Sequence, residues 1–210
     1  MTVSPESSGA VAIFASAAHS FAALVHDIPA DRWDGPGLGE WDLRALVGHA
    51  SRSLITVSTY LAHATEREDV SSPQDYYVQI REYASNVGAA DIIERGRQAG
   101  RDLGDDPLAT VNRLVPRVLS ELATAGNPLI AVIGGLGIRL HNYLPTRTFE
   151  LAVHGLDIAR AVDISFPIPT DVLEEATALA ARIAVAEGHG ETVLLALTGR
   201  AELPAPFSIV

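Results

Sequence analysis

The sequence predicts a mostly α-helical bundle, and three observations lead there. Aromatic residues make up only 6% of the chain while alanine and leucine abound, a balance that favours closely packed helices over strands rich in β-branched and aromatic side chains. Apolar residues recur at steps of three and four through several long segments, the period of a helix with one buried face. The breaks between those segments, at Pro29, Asp34 to Glu40, Asn127-Pro128 and Pro167, carry the residues that end helices or make turns. With 210 residues, 48% of them hydrophobic, the chain can bury one substantial core. The expected organisation is a bundle over residues 1–164 followed by a small C-terminal α/β extension over 165–210.

Each element follows from local chemistry. Phe14, Ala18, Phe21, Val25 and Ile28 form one apolar stripe that Pro29 closes, giving a first helix. Three glycines and a proline make Asp34 to Glu40 a loop, and Asp42 is a suitable N-cap for a second helix reaching about Thr65. The buried stripe of that helix is Leu43, Leu46, Ala50, Leu54, Val57 and Leu61, which sets His49 at the edge of the core face. Tyr76 to Asn86 and Ala89 to Leu103 read as helices separated by Gly88. Asp106-Pro107 caps and opens a helix to about Ala125, with a kink expected at Pro116. Leu129 to Ile138 reads as extended or loop. Pro145 suits the first turn of a helix ending near Val162. Thr170 can cap a helix through Ala186, and Thr192 to Leu197 suggests a short strand before an irregular tail.

Charge and composition exclude several functions. A formal net charge of -11 and a pI near 5.0 oppose binding to nucleic acid, and the scattered arginines offer no basic patch to an anionic membrane. The apolar segment from Gly9 to Ile28 lacks the basic flank of a signal peptide and contains His19 and His26. No stretch is read as a membrane span, so a soluble, cytoplasmic protein is expected, as a monomer or homodimer. Cysteine is absent, so any metal must be held by imidazole or carboxylate, and any thiol must come from outside.

One constellation carries chemistry. Glu150 and His154 are four residues apart and Asp157 is three further on, so all three project from one helical face. A carboxylate and an imidazole at that spacing can hold two positions on a divalent ion. A third ligand must come from another helix, and His49 is the best candidate. Two histidines and a glutamate leave tetrahedral zinc one open position, the pattern of a catalytic site. The competing reading is a hydrogen-bonded histidine on a solvated acidic face.

Two stretches extend this reading. Glu40 to His49 (EWDLRALVGH) contains Trp-x-x-x-x-Leu-x-x-His, and Leu144 to Asp157 (LPTRTFELAVHGLD) contains Arg-x-x-Glu-x-x-x-His-x-x-Asp. Together they resemble the mycothiol-dependent maleylpyruvate isomerase family of actinobacteria, within the wider DinB-like group of metal-binding four-helix bundles. The resemblance implies that His49, Glu150 and His154 are the ligands of a divalent metal, preferentially zinc, and that mycothiol is the thiol cosubstrate of a transferase or isomerase acting on a small electrophile.

A bound metal would lower the thiol pKa from its free value of about 8.5. Asp157 is placed to orient His154 through its second ring nitrogen, or to pair with Arg160. Arg147, one turn before Glu150, is placed to neutralise an anionic substrate or to salt-bridge a surface acid. Trp41 is expected to pack beside the start of the second helix; His141 and Asn142 either line the site entrance or, more simply, Asn142 caps the turn before the metal-bearing helix. The alternative functions are a metal-dependent hydrolase and a non-catalytic bundle that binds a small molecule.

Overall fold

The computed structural model describes residues 5–85 and 88–209. Its helices are α1 (Pro5–His26), α2 (Leu43–Leu61), α3 (Pro73–Ser85), α4 (Ala89–Asp102), α5 (Pro107–Ala125), α6 (Leu140–Val162), α7 (Thr170–Ala186) and α8 (Gly190–Leu197). Two short strands, β1 (Leu129–Ala131) and β2 (Gly137–Arg139), pair antiparallel with Ile130 opposite Ile138. The expected end of the third helix at Asn86, and Val210 in the tail, lie outside the described residues.

Four helices close a ring. α1 and α2 each pack against both α5 and α6, and the stripes Phe14, Ala18, Phe21, Val25 and Leu43, Leu46, Ala50, Leu54, Val57 are buried there. The sequence-derived bundle is therefore the observed core. Burying each of these leucine, valine and phenylalanine side chains contributes about 1.5–3 kcal/mol. Residues Gly9–His26 of α1 have a mean hydropathy of 1.5, long and apolar enough to cross a membrane by length and composition, which corrects the expectation that no stretch qualifies. In the fold, one side of that helix faces the bundle core.

α4 lies along α2 unusually closely, because glycines line the crossing. A Cβ on Gly48 would collide with the backbone of Ala99, and one on Gly100 would sit 2.8 Å from the Ala45 Cα. This contact fixes the first half of α2, the half that carries His49. α2 starts as expected, with the Asp42 carboxylate accepting from the Ala45 N–H at 2.7 Å. It stops at Leu61 instead of Thr65, because the Thr65 N–H donates to the Leu129 carbonyl and the Ala131 N–H to that of His63, so the chain leaves the helix to pair with β1. α5 continues through Pro116, which is exposed.

Two other expectations are corrected. α6 begins at Leu140, five residues before Pro145. The amides of its first turn are met from afar: the Leu140 N–H donates to the Pro128 carbonyl and the His141 N–H to the Asn127 side chain at 3.0 Å. Those partners supply the cap that the helix start lacks locally, and Pro145 is carried inside the helix. Thr192 to Leu197 is not a strand but belongs to α8, where the Val193 N–H donates back to the His189 carbonyl. α7 packs on α6, α1 and α3, and α8 on α7.

Candidate metal centre

α2 and α6 lie side by side in the ring, and their facing surfaces bring the three anticipated side chains together. One ligand atom each from His49, Glu150 and His154 lies within 4.8 Å of the other two. The imidazoles of His49 and His154 meet edge to face, with ring centroids 4.9 Å apart. On α6, the His154 Nε2 is 3.3 Å from the Glu150 Oε2, and its Nδ1 is 3.3 Å from the Asp157 Oδ2. The contact anticipated for Asp157 is thus present, and it leaves Nε2 as the nitrogen that faces Glu150 and His49.

The surrounding side chains hold these groups in place. The Tyr77 hydroxyl, reaching in from α3, donates to the Glu150 Oε1 at 2.9 Å and is buried. Trp41 does more than pack beside the start of α2: its ring lies over His49 at a centroid distance of 4.6 Å, and its indole N–H donates to the Ile93 carbonyl at 3.0 Å. A Cβ on Gly96 of α4 would overlap that indole, so α4 presses Trp41 onto His49. Tyr143 is fully enclosed and donates to the Thr56 Oγ1 at 3.0 Å, tying α6 to α2 beside the site.

Electrostatics divide the two histidines. Burial, reinforced by the nearby His154, pushes His49 down to about 4, so it is neutral with a free lone pair at neutral pH. Burial also works against the charged form of His154, but hydrogen bonds to Asp157 and Glu150 outweigh it and bring the group up to about 9. For Glu150 burial favours the neutral acid, yet the hydrogen bond from His154 and the charge of Arg147 prevail and hold it at about 2. In the metal-free chain the centre is therefore a carboxylate, an imidazolium and a neutral imidazole.

Arg147 forms no salt bridge to a surface acid among the described residues. Its guanidinium lies over the rings of Tyr143 and Tyr76, at 4.9 and 5.4 Å from their centroids, and its Nε donates to the Thr146 Oγ1 at 3.0 Å. With Glu150 and His49 it lines a cavity of about 90 Å³ between α2, α3 and α6. Of the two readings of His141 and Asn142, the one at the site entrance is not met, since neither lines this cavity. The Asn142 amide donates to the Ser71 carbonyl at 2.8 Å, and the His141 backbone is held by Asn127, so both serve the entry into α6. His63 bonds the Thr59 carbonyl and lies outside the cluster, as do His19, His26 and His189.

Tyr76, Tyr77, Tyr143, Thr56 and Arg52 escaped the sequence reading. Adjacent tyrosines in a helical segment look like core residues, and only the crossing of α3 over α6 shows that Tyr77 presents its hydroxyl to Glu150.

The donor set fits a divalent metal. Two imidazoles and one carboxylate converge from two helices, with the second nitrogen of His154 and the second oxygen of Glu150 each bound to the protein, the support that ligating side chains require. The comparison with known families decides the kinship: the model of the mycothiol maleylpyruvate isomerase N-terminal domain matches residues 14–159. The chain belongs to that family. The matched region runs from Phe14 in α1 past Asp157, and so contains the whole cluster. No curated protein and no solved structure matches the chain.

Proposed function

We propose that the protein is a metal-dependent enzyme that uses a small-molecule thiol, mycothiol, to attack a small electrophilic substrate, as a transferase or an isomerase. The observation that carries this reading is the convergence of His49, Glu150 and His154 within 4.8 Å in a chain that has no cysteine of its own. Membership of a mycothiol-related family gives the missing thiol an identity.

His49, Glu150 and His154 would hold the metal, with zinc the ion best suited to two nitrogens and one oxygen. A bound zinc would supply a Lewis acid that lowers the pKa of an incoming thiol and so provides thiolate at neutral pH. The residues of the chain set the conditions for this. Asp157 keeps the His154 Nδ1 engaged so that Nε2 points to the centre, and Tyr77 fixes one Glu150 oxygen so that the other is aimed the same way. Trp41 packs its ring against His49 and helps fix the imidazole's orientation.

In the reaction the thiolate sulfur donates a lone pair to the electrophilic carbon and a carbon–sulfur bond forms. The displaced π electrons move to the neighbouring atom. If that atom takes a proton, the product is a thiol adduct; if the adduct rotates and expels the thiolate again, the net change is an isomerisation. Arg147, beside the cavity, is placed to hold the negative charge that develops on the substrate.

The reading is tested by incubating the zinc-loaded protein with mycothiol and a panel of electrophiles, followed by mass spectrometry. Adducts or isomerised products that require both zinc and mycothiol are expected. Turnover of esters or amides with no thiol present would instead assign a hydrolase.

A further inference from the structure

We propose that the exposed face of α8 is where a second copy of this chain docks, the two α8 helices packing antiparallel about a two-fold axis that passes between Leu195 and Ala196.

α8 buries none of its residues within the chain, although its sequence is GETVLLAL. It packs on α7 and turns its other side to solvent. Leu194 and Leu197, three residues apart and so on one helical face, are both largely exposed. Gly190 precedes Leu194 by one turn on that face. A Cβ on Gly190 would lie 2.8 Å from the Val185 Cγ2, so the exposed Val185 of α7 extends the same patch. Scattered exposed leucines are ordinary on a protein surface, whereas contiguous apolar side chains rimmed by polar ones mark an interface.

The charges around the patch say what covers it. Thr192 to Gly199 contains no charged residue, in a chain of net charge -11 whose copies repel each other over most of their surface. Glu191 bounds this neutral run on one side and Arg200 on the other, and both are exposed. Gly199 turns the chain at φ 68°, and the Arg200 N–H donates to the Leu195 carbonyl at 2.8 Å, which holds Arg200 at the end of the helix. In a two-fold interface each residue meets its mirror position in the other copy. With the axis between Leu195 and Ala196, Leu194 meets the partner's Leu197 and Glu191 meets the partner's Arg200, twice over. Gly190 meets the partner's Ala201, and these small residues let the helix ends approach. A parallel pair would instead set Glu191 on Glu191 and Arg200 on Arg200. A lipid surface fits less well, because Glu187, Glu191 and Glu202 flank the patch and oppose anionic headgroups. The eight residues of α8 span about 12 Å, so the interface is small and the dimer reversible.

The test is sedimentation velocity of the full chain from about 1 µM to about 1 mM, the range of dissociation constants that suits a small interface. Chelator is present so that no metal bridges the copies. The sedimenting mass is expected to rise with concentration from one chain to two. Leu194→Glu places an unpaired charge in the contact and should weaken association roughly tenfold or more, with Tm unchanged at the dilute end because α8 buries nothing within the chain. Glu191→Arg and Arg200→Glu should each weaken association roughly threefold, the scale of exposed ion pairs. The double variant should restore it, since both pairs are rebuilt with their signs exchanged. A wild type that stays monomeric throughout, or association that Leu194→Glu leaves unchanged, would overturn the interface. A double variant no tighter than the single ones would overturn the antiparallel pairing.

Discussion

The interior around His49 and the outer surface of α7 and α8 break the same rule in opposite directions. Between α2 and α6, charged groups sit inside the bundle. On α7 and α8, apolar side chains stand in water: Val185, Leu194 and Leu197 are 67%, 63% and 72% exposed. Every inward charge has a defined companion. Glu150 has Tyr77 and His154, His154 has Asp157, and Arg147 has two tyrosine faces. The exposed apolar residues show no such organisation. The cause is energetic, since an uncompensated buried charge costs several kcal/mol while a solvated leucine costs little. A polar cluster survives inside only where geometry compensates it, and that geometry marks the candidate site.

Substitutions at the two regions should therefore differ sharply, and the largest effect is expected at the ligands. His154→Ala removes the nitrogen that faces Glu150 and His49, so stoichiometric zinc is lost; a variant that keeps one zinc per chain by elemental analysis would break the comparison at its root. Next comes the support of α2. Gly48→Val forces a side chain into the backbone of Ala99 and should lower unfolding stability by about 3 kcal/mol, at the upper end of overpacking costs. A urea midpoint unchanged from wild type would show that α4 does not clamp the helix bearing His49.

A smaller effect belongs to the residues behind the ligands. Tyr77→Phe removes the donor to Glu150 and should weaken zinc about 10–100-fold, the usual range for groups that orient a ligand, while leaving the fold intact by circular dichroism. Chelator competition that gives the wild-type affinity would reduce Tyr77 to a packing residue.

Protons distinguish the two histidines. In the metal-free chain His154 is raised to about 9 and His49 lowered to about 4. The stabilisation from charged His154 is complete below about pH 6.5 and disappears as pH rises through 9, whereas that from neutral His49 is complete above about pH 6.5 and disappears as pH falls towards 4. Metal-free stability should therefore peak near pH 6.5. Zinc binding at pH 7.5 must expel the His154 proton, so titrations in buffers of different ionisation enthalpy should report close to one proton released per zinc. A value near zero would contradict the imidazolium assignment. At the other extreme, Leu197→Ser on α8 should change stability by no more than about 0.5 kcal/mol, and a larger loss would show that the outer surface carries energy that its exposure conceals.

The contrast also explains how much the sequence reveals. The stripes of α1 and α2 and the spacing of Glu150, His154 and Asp157 are local patterns, and a helix turns them directly into faces. The start of α6 is not local. Pro145 looks like a first-turn residue because the amides of Leu140 and His141 are satisfied by Pro128 and Asn127 only after the chain has folded back. α8 has the threonine and valine of a strand, but His189 starts a separate helix after the break at Gly188, and its carbonyl accepts from the Val193 N–H. The companions of the ligands are the least legible part. Tyr77 reaches Glu150 only through the crossing of α3 over α6, and Trp41 is pressed onto His49 by α4, and neither contact is encoded by spacing.

The central claim is that this cysteine-free chain presents a metal to an external thiol, and X-ray absorption at the zinc edge tests it most directly. With one equivalent of zinc and no thiol, the account predicts only nitrogen and oxygen neighbours at about 2.0–2.2 Å; on adding mycothiol, a sulfur neighbour should appear at about 2.3 Å. With no cysteine and a single methionine in the chain, a zinc-bound thiolate can only be the added one. A protein that binds no zinc, or a zinc spectrum unaltered by saturating mycothiol, would contradict the account.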